Sequence, residues 1–421
     1  MPSLMTGKKI KMKLIEFVDK EALEHIAAAI SLSEDEIIFI GGRSALRDAE
    51  NLERVIKDRN FDTRITLMPI PVNNLRQIVQ TLDGIVSKGD EFCFDLTGGD
   101  DLALVAVGII YERYKDKSDI RLYRINLKSE YMVDCVTGET ISVKSEPQLT
   151  ADEVVSLHGG AIRYHDSCEN GSYNWDFSPE FIADIKNIWN ICSREPHFWN
   201  IQISAFSKLM AEYADNLYLS YSVFEATEVC RENRFKYFFS RKFLKELEEK
   251  GIIKNLKIDE KISFSFKNEQ VKRCLSKAGN ALELFVTVSA LEIRYDPDPE
   301  LSFFDDVING ALIDWDSEFH NINDSVKDTQ NEIDIILTYG YIPIFISCKN
   351  GKVDEEELYK LSTVAEYFGG SHAVRVLISS NNCDPYLKQR AQDMNIKLIE
   401  NFKISGRNPK EVEKILKGLI K

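Results

Sequence analysis

The sequence predicts an α/β protein with more than one domain, and three observations support this prediction. The chain has 421 residues, more than a single hydrophobic core usually accommodates. Apolar, strand-like runs alternate with amphipathic helical patterns at 11–126, and the alternation returns near the C-terminus. The region between these two parts has a mainly helical pattern. We therefore expect three domains, at 1–149, 150–275 and 276–421.

The first domain is expected to contain a mostly parallel sheet with helices on both faces, because strands and helices alternate along it. Ligands of such sheets bind beyond the carboxyl ends of the strands. A β-hairpin at about 131–144 follows the alternating region. The predicted strands of the alternating region lie at about 12–18, 36–40, 62–68, 91–95 and 119–126.

Two of these strands run into glycine-rich loops that carry polar side chains. Glycine lets the backbone approach a ligand closely, and the N–H groups at a helix start favour an anion. The loops therefore predict a phosphate-bearing ligand, with tight strand-to-helix turns and helix capping as the alternative. Neither loop has the spacing of a P-loop or of a dinucleotide fingerprint, so a nucleoside triphosphatase or a dehydrogenase is not expected. The candidate ligand-binding residues are Gly41, Gly42, Arg43, Ser44, Thr97, Gly98, Gly99, Asp100 and Asp101.

The middle region has the pattern of a helix followed by two short strands. The helix at about 243–251 ends in glycine, and strand patterns follow at 252–256 and 261–266. This order predicts a winged-helix-like module. Its basic residues, Arg241 and Lys242 among them, fit either a nucleic-acid surface or a solvated helix face. The net charge of −15 argues against broad, non-specific binding to duplexes.

The third region contains two apolar strands on either side of a Gly/Pro turn. The first strand carries Asp334, and the second ends in Ser347, Cys348 and Lys349. Strand alternation places Ser347 and Lys349 on one face and Cys348 on the other. An acid and a lysine at the end of an apolar hairpin are typical of a metal-dependent phosphodiesterase, in which they hold the cation and stabilise developing negative charge.

A further acid, Glu283, lies on the helix that precedes this hairpin. Its neighbours in the sequence are apolar, so its carboxylate needs a partner, which a divalent ion shared with Asp334 would provide. Hard oxygen ligands favour Mg²⁺ or Mn²⁺, with the backbone carbonyl of Cys348 as a further ligand. Glu332 is an alternative ligand or a partner of Lys349. Other candidates to line the cleft are Glu355, Glu356, Tyr359 and Lys360.

The remaining composition is typical of a cytoplasmic protein. The eight cysteines show no C-x-x-C spacing, which indicates reduced core residues and not disulfides or zinc ligands. Because no apolar run reaches roughly 18 residues and no signal peptide is evident, we expect no membrane partner.

These motifs together resemble a known class of protein. The Asn-Glu-Ile-Asp strand at 331–334, the Ser-Cys-Lys strand end at 347–349 and the helix of Glu283 resemble the PD-(D/E)XK nuclease core. The first domain, with Asp-Leu-Thr-Gly-Gly at 95–99, resembles the CRISPR-associated Rossmann-fold (CARF) sensor domain. The order of sensor, winged-helix-like middle and restriction-endonuclease-like domain is similar to that of CRISPR ancillary nucleases of type III systems.

This resemblance implies an allosteric, metal-dependent endonuclease of antiviral defence. Two chains would form a homodimer, and their sensor domains would bind a cyclic oligoadenylate, cyclic tetraadenylate above all, at 41–44 and 97–101. Binding would activate cleavage of RNA, DNA or both. Asp334 and Glu283 would hold the metal, and Lys349 would be the catalytic lysine.

The sequence departs from the nuclease pattern at Ser347, where a Glu or Asp is usual. A hydroxyl is a much weaker metal ligand than a carboxylate, so Glu283 would have to supply the missing charge. The alternative is an oligoadenylate-responsive DNA-binding regulator with an inactive nuclease core. A further alternative is an enzyme that degrades its own cyclic ligand in the first domain.

Overall fold

The computed structural model describes most of the chain. The described ranges are 12–32, 35–59, 63–88, 91–129, 131–142, 149–163, 175–232, 240–297, 302–318 and 330–420.

The first part of the chain forms a seven-stranded sheet. Its elements are β1 (Met12–Phe17), α1 (Ala22–Leu32), β2 (Glu36–Gly41), α2 (Arg43–Asp58), β3 (Arg64–Pro69), α3 (Leu75–Val86), β4 (Glu91–Asp95), α4 (Asp101–Tyr114), β5 (Ile120–Asn126), β6 (Tyr131–Asp134) and β7 (Thr140–Ser142). The strand order is β3-β2-β1-β4-β5-β6-β7. The first five strands are parallel and the last two are antiparallel, which confirms the predicted mostly parallel sheet.

The sequence forms this sheet because its central strands are apolar on both faces and its helices are apolar on one side. Strand β2 is buried along almost its whole length, as expected for a strand covered on both sides. Helix α2 buries Leu46, Ala49, Leu52 and Val55, whose spacing places them on one side of a helix. Because β2 and β4 flank β1 and their connections run to opposite sides, a crevice opens at the carboxyl ends of these strands.

The middle of the chain mixes helices with a small antiparallel sheet. Its elements are α5 (Ala151–Leu157), β8 (Ala161–Arg163), α6 (Pro179–Cys192), α7 (Pro196–Tyr213), β9 (Ala214–Asp215), β10 (Tyr218–Ser222), α8 (Val223–Glu232), α9 (Arg241–Glu249), β11 (Ile253–Ile258), β12 (Lys261–Phe266) and α10 (Glu269–Cys274). The sheet has the order β11-β12-β10-β9. The predicted strand pair is present as β11 and β12, whereas β8, β9 and β10 were not predicted.

The last part of the chain is built on a six-stranded sheet. Its elements are α11 (Asn280–Arg294), β13 (Asp306–Asp314), β14 (Gln330–Tyr339), β15 (Ile342–Lys349), α12 (Glu355–Gly369), β16 (Val374–Ser379), α13 (Pro385–Asp393), β17 (Ile396–Ile399), α14 (Phe402–Ser405) and α15 (Pro409–Lys417). The order is β17-β16-β15-β14-β13-β8. Strands β14 and β15 pair antiparallel, as predicted, and β15, β16 and β17 are parallel. Strand β8 comes from the region expected to be helical and forms one edge of this sheet.

The first and last sheets are packed together through their helices. One hydrophobic cluster contains residues of α1, α2, α5 and α12, so both sheets share it. Polar contacts reinforce this packing: the Ser371 N–H and hydroxyl donate to Glu21, at 3.1 and 2.9 Å. The His372 Nε2 atom lies 2.8 Å from a Glu24 carboxylate oxygen. No helix among the described residues is long and apolar enough to cross a membrane.

Candidate functional site

Asp334 lies at the point where β14 and β15 begin to diverge. Its Oδ2 atom accepts the backbone N–H of Cys348 at 2.6 Å and the hydroxyl of Ser347 at 3.2 Å. Cys348 is buried in the core beneath α11, whereas Ser347 and Lys349 line the opposite side with residues of α12. The predicted alternation of these three residues is therefore correct. Ser347 supports Asp334 by donating a hydrogen bond to it.

Glu283 approaches Asp334 from α11. Asn309 of β13 connects this helix to β14, because its side-chain amide donates to the Thr287 hydroxyl at 2.9 Å and to the Asp334 carbonyl at 3.3 Å. The Glu283 carboxylate folds back over Gly279, where an added Cβ atom would lie 2.6 Å from Glu283 Oε1. Gly279 therefore leaves the space that this carboxylate occupies.

The charges of these residues act on one another. Burial, followed by the charges of Asp334 and Glu332, raises the pKa of Glu283 to about 8. Burial also raises the pKa of Asp334, against the opposing hydrogen bond from Cys348 and the charge of Lys349. The structure thus brings Glu283, Asp334, Glu332 and Lys349 into one electrostatic environment, although they are distant along the chain.

Lys349 has a partner that the sequence did not reveal. Its Nζ atom lies 2.8 Å from a carboxylate oxygen of Glu357, in the first turn of α12. Burial alone would lower the pKa of Lys349, but the contact with Glu357 and the charge of Asp334 raise it, so the ammonium is charged. Lys360 lines the same cleft, whereas Glu355 contacts Arg390 instead.

The acidic side chains at and near this cleft are of the type that binds hard divalent cations. Glu283, Asp334 and Glu332 carry carboxylates, and burial is the main cause of the raised pKa values of the first two. Oxygen donors of this kind favour Mg²⁺ or Mn²⁺ over softer ions.

Replacing Gly279 by alanine is expected to displace the Glu283 carboxylate without straining the backbone. Gly279 has φ −65° and ψ −34°, which alanine adopts readily, so the conflict is confined to Glu283 Oε1. For the metal-dependent nuclease that the resemblance implies, the Mn²⁺ concentration for half-maximal cleavage should rise roughly 10-fold or more, as when a metal ligand loses its support. Gly84→Ala is the matched control, because an added Cβ atom there meets nothing within 4 Å. Equal metal requirements for the two variants would contradict the role of Glu283.

The first glycine-rich loop connects β2 to α2. Gly42 caps α2 without any side-chain hydrogen bond, so the first N–H groups of this helix are free of side-chain caps. Arg43 and Ser44 are exposed at the start of the helix. This end of α2 offers N–H groups, a hydroxyl and a guanidinium to an anion.

The second glycine-rich loop is held closely against β1 and α1. Gly99 has φ +91°, and an added Cβ atom would lie 2.8 Å from Phe17. At Gly98 an added Cβ atom would lie 2.7 Å from the His25 ring. Both positions therefore require glycine for packing, whatever ligand they contact.

Polar side chains of the second loop are largely used within the fold. Thr97 donates its hydroxyl to Asp95 at 2.5 Å, and the same oxygen accepts the N–H of Ile125 at 2.7 Å. Asp100 caps α4 by accepting the N–H of Ala103 at 2.9 Å, which is the capping role considered from the sequence. Thr97 and Asp100 thus shape the loop.

A buried polar cluster that the sequence did not reveal lies directly beneath this loop. His25 of α1 contacts Glu16 of β1 through Nδ1 at 2.7 Å and Asp19 through Nε2 at 3.2 Å. Asp19 also accepts the N–H of Gly99 at 3.1 Å. One donor atom each from Glu16, His25 and Asp95 lie within 4.8 Å of one another, and no other such group of three occurs among the described residues.

Burial and mutual contacts shift the pKa values of all four residues in this cluster. Burial raises the pKa of Glu16 to about 7 and that of Asp95 to about 6. Burial alone would lower the pKa of His25, but its contacts with Asp19 and Glu16 raise that pKa to about 10. The contact with His25 outweighs burial at Asp19 and lowers its pKa to about 2.

The chain is similar to known proteins in structure but has no detectable match in sequence. No family model matches the sequence, and no curated protein matches it. Among solved structures, protein VC1899 from Vibrio cholerae is similar with a TM-score of 0.74 and 16% identity, over 97% of each chain. Can2 from Sulfobacillus thermosulfidooxidans, solved in complex with cyclic tetra-adenylate, is similar with a TM-score of 0.67 and 14% identity, over 97% of this chain and 99% of that one.

A third solved structure is less similar. It is a Type III CRISPR defence DNA nuclease activated by cyclic oligoadenylate, with a TM-score of 0.50 and 12% identity. The match covers 91% of this chain and 47% of that one. At these identities the comparisons establish the fold, which is a mixed α/β fold with parallel sheets and helices.

Proposed function

We propose that the protein is a cyclic oligoadenylate-activated, metal-dependent nuclease, with Asp334, Glu283 and Lys349 at its active site. The observation that carries this proposal is that Asp334 and Lys349 line one cleft at the ends of β14 and β15, while the buried carboxylate of Glu283 on α11 is close enough for its charge to act on both. A fold shared over nearly the whole chain with Can2, solved with cyclic tetra-adenylate, supports the choice of activator. Cleavage of RNA, DNA or both in the presence of Mn²⁺ tests the proposal.

In this proposal Glu283, Asp334 and the carbonyl of Cys348 hold Mg²⁺ or Mn²⁺. The ion, when bound, polarises the scissile phosphodiester and lowers the pKa of an attacking water. Lys349 supplies a positive charge toward the negative charge that develops on the phosphate. The hydrogen bonds from Cys348 N–H and the Ser347 hydroxyl hold the Asp334 carboxylate in a fixed orientation.

The activator would bind at the carboxyl ends of β1, β2 and β4. The start of α2 at Gly42, Arg43 and Ser44 supplies donors for its phosphates. Loop 97–101 lies on the other side of β1 and supplies backbone and acidic groups for base or ribose edges. A ring of four nucleotides has repeating phosphates, which fits a pocket formed by two copies of this surface.

The second copy is supported by an apolar face on α4. Leu104, Val105 and Ile109 are 38%, 50% and 37% exposed, and Gly108 lies among them with open space above it. The opposite side of the same helix buries Ala103, Ala106, Val107 and Ile110. A helix that is apolar on both sides is normally covered on both, and the residues that the structure describes cover only one side of α4. We therefore infer a homodimer that pairs α4 with its symmetry mate beside the ligand loops.

Introducing charge on this face is expected to separate the two chains. The double variant Leu104→Glu/Val105→Glu should have half the native mass by light scattering and should lose binding of cyclic tetraadenylate, because each chain would carry half a pocket. Ile404→Glu, at an exposed apolar residue on α14, is the matched control and should remain dimeric. A double variant that stays dimeric would contradict the assignment of this face.

A second candidate function is supported by the middle region and by Ser347. Exposed basic residues lie on α9 and on β11, and their hairpin follows the helix as in a winged-helix module. If Ser347 leaves the nuclease inactive, the protein would be a ligand-responsive DNA-binding regulator. Ligand-dependent DNA retention without strand breakage, abolished in Arg241→Glu/Lys242→Glu, would favour this alternative. Cleavage that survives in that variant would favour the nuclease.

A further inference from the structure

We propose that Glu16, His25 and Asp95 form a second metal site, which binds a divalent transition-metal ion beneath the ligand loop of the first sheet. The site is separate from the proposed nuclease centre, which lies on a different sheet. It goes beyond the proposed function, since neither cleavage nor activator binding requires it.

Two buried oxygens without partners carry the proposal. Glu16 and Asp95 are 1% and 2% exposed, and neither Glu16 Oε1 nor Asp95 Oδ2 has a hydrogen-bonding partner in the part of the chain that the structure describes. Burying a carboxylate oxygen without a partner is costly. The two carboxylates come from the neighbouring parallel strands β1 and β4, so the pairing of these strands holds them close together.

The surrounding residues hold the three donors as a metal site requires. Thr97 donates its N–H and its hydroxyl to Asp95 Oδ1, at 2.9 and 2.5 Å, which leaves Oδ2 for the ion. His25 Nε2 lies 3.2 Å from both the backbone N–H and the Oδ1 atom of Asp19. When Nε2 carries the proton, Oδ1 accepts it and Nδ1 is left as the donor atom. A carboxylate behind a ligating histidine is the usual support of protein metal sites.

The chemistry of these three ligands indicates which class of ion the site would bind. One imidazole and two carboxylates suit Zn²⁺, Mn²⁺ or Fe²⁺ better than Mg²⁺ or Ca²⁺, which favour oxygen alone. The two carboxylates neutralise the charge of a divalent ion when the imidazole is neutral. Binding requires a neutral imidazole, so any proton on His25 Nδ1 would be released as the ion enters.

The position of the site gives it a structural role. It would join β1, α1 and β4 directly under Gly98 and Gly99, whose close packing already depends on Phe17 and His25. The ion would thus stiffen the loop that the proposed activator contacts.

The test uses the full-length Asp334→Asn protein, in which the proposed nuclease centre has lost a ligand. After removal of metal with a chelator, the protein is titrated with Co²⁺ and its visible absorption is recorded; Zn²⁺ is then counted by elemental analysis after gel filtration. We expect one tightly bound ion per chain, the absorption of Co²⁺ with a nitrogen ligand, and loss of both in the additional variants Glu16→Gln and His25→Gln.

A second measurement on the parent Asp334→Asn protein does not depend on the folding of those variants. X-ray absorption at the zinc edge of the Zn²⁺-loaded protein should show an imidazole nitrogen together with oxygen atoms around the ion, whereas the proposed nuclease centre offers oxygen alone. Failure to bind Zn²⁺ or Co²⁺ in stoichiometric amount, or a bound Zn²⁺ surrounded by oxygen alone, would overturn the site. Neither result depends on cleavage, so the proposed function is tested separately.

Discussion

Replacing Asp334 by asparagine is expected to reduce nuclease activity by at least about 100-fold, a loss typical of removing one group that stabilises developing charge. The asparagine oxygen can still accept the N–H of Cys348, so the strand ends should remain paired. The charge that holds the cation is lost, however, and Glu283 and Glu332 remain without the third carboxylate. Lys349→Ala should have an effect of similar size, because the positive charge beside Asp334 disappears.

The measurement is the initial rate of cleavage with saturating activator and Mn²⁺, together with activator binding to the same samples. Binding should be unchanged, since the proposed pocket lies on the first sheet. Asp215→Asn, at an exposed acid on β9, is the matched control and should cleave normally. An Asp334→Asn protein that cleaves as fast as this control would exclude the assigned active site.

The second large effect is expected at the contact between the first and last sheets, which carry the proposed activator pocket and the proposed nuclease centre. Asp19 contacts both Gly99 of the ligand loop and His25 of α1, and Glu24 on α1 contacts His372 in the turn that follows α12. Helix α12 spans about 22 Å, at about 1.5 Å per residue, and carries Glu357 at its other end. A continuous set of contacts therefore joins loop 97–101, where the activator is proposed to bind, to the partner of Lys349.

The double variant Glu21→Gln/Glu24→Gln should bind the activator normally and lose most of the activation. Allosteric coupling commonly amounts to about 5–150-fold, and the ratio of cleavage rates with and without activator should fall by a factor within that range. The two carboxylates become weaker partners for Ser371 and His372 while the size of the side chains is kept.

Glu50→Gln, at an exposed position on α2, is the control for the loss of a carboxylate and should be fully activated. Both proteins are assayed for cleavage across a range of activator concentrations and for activator binding by calorimetry. Normal activation of the double variant would show that these contacts only hold the domains together.

The parallel sheet and the nuclease hairpin could be predicted because their patterns are local. Strand β2 has a short run of isoleucine and phenylalanine that ends in glycine, and this pattern is typical of a strand that is buried on both faces. The hairpin of β14 and β15 follows from two apolar runs around a Gly/Pro turn, and its register then determines that Asp334 meets Ser347 and Cys348.

Strands β8 and β13 could not be predicted in the same way. Strand β8 has three residues, and β13 is interrupted by Asn309 and Gly310, where φ is +59°. Such short or interrupted strands depend on the neighbours that pair with them, and the neighbours of β8 are about 150 residues away in the sequence.

The polar contacts within the sites were also beyond the reach of the sequence. Glu357 resembles the other acids at the start of α12, and only the packing of that helix against β15 brings it to Lys349. Glu16 and His25 each occur singly among apolar residues, where a satisfied core residue is the usual interpretation. Their proximity to Asp95 requires β1 and β4 to be adjacent, which follows from the strand order and not from any motif.

The most direct test of the proposed function is cleavage of single-stranded RNA, single-stranded DNA and supercoiled plasmid by the native protein with Mn²⁺, with and without each cyclic oligoadenylate. We expect at least one substrate to be cut rapidly with cyclic tetraadenylate and slowly without it. Equal cleavage with and without every cyclic oligoadenylate, or no cleavage of any substrate, would contradict a nuclease controlled by this class of ligand.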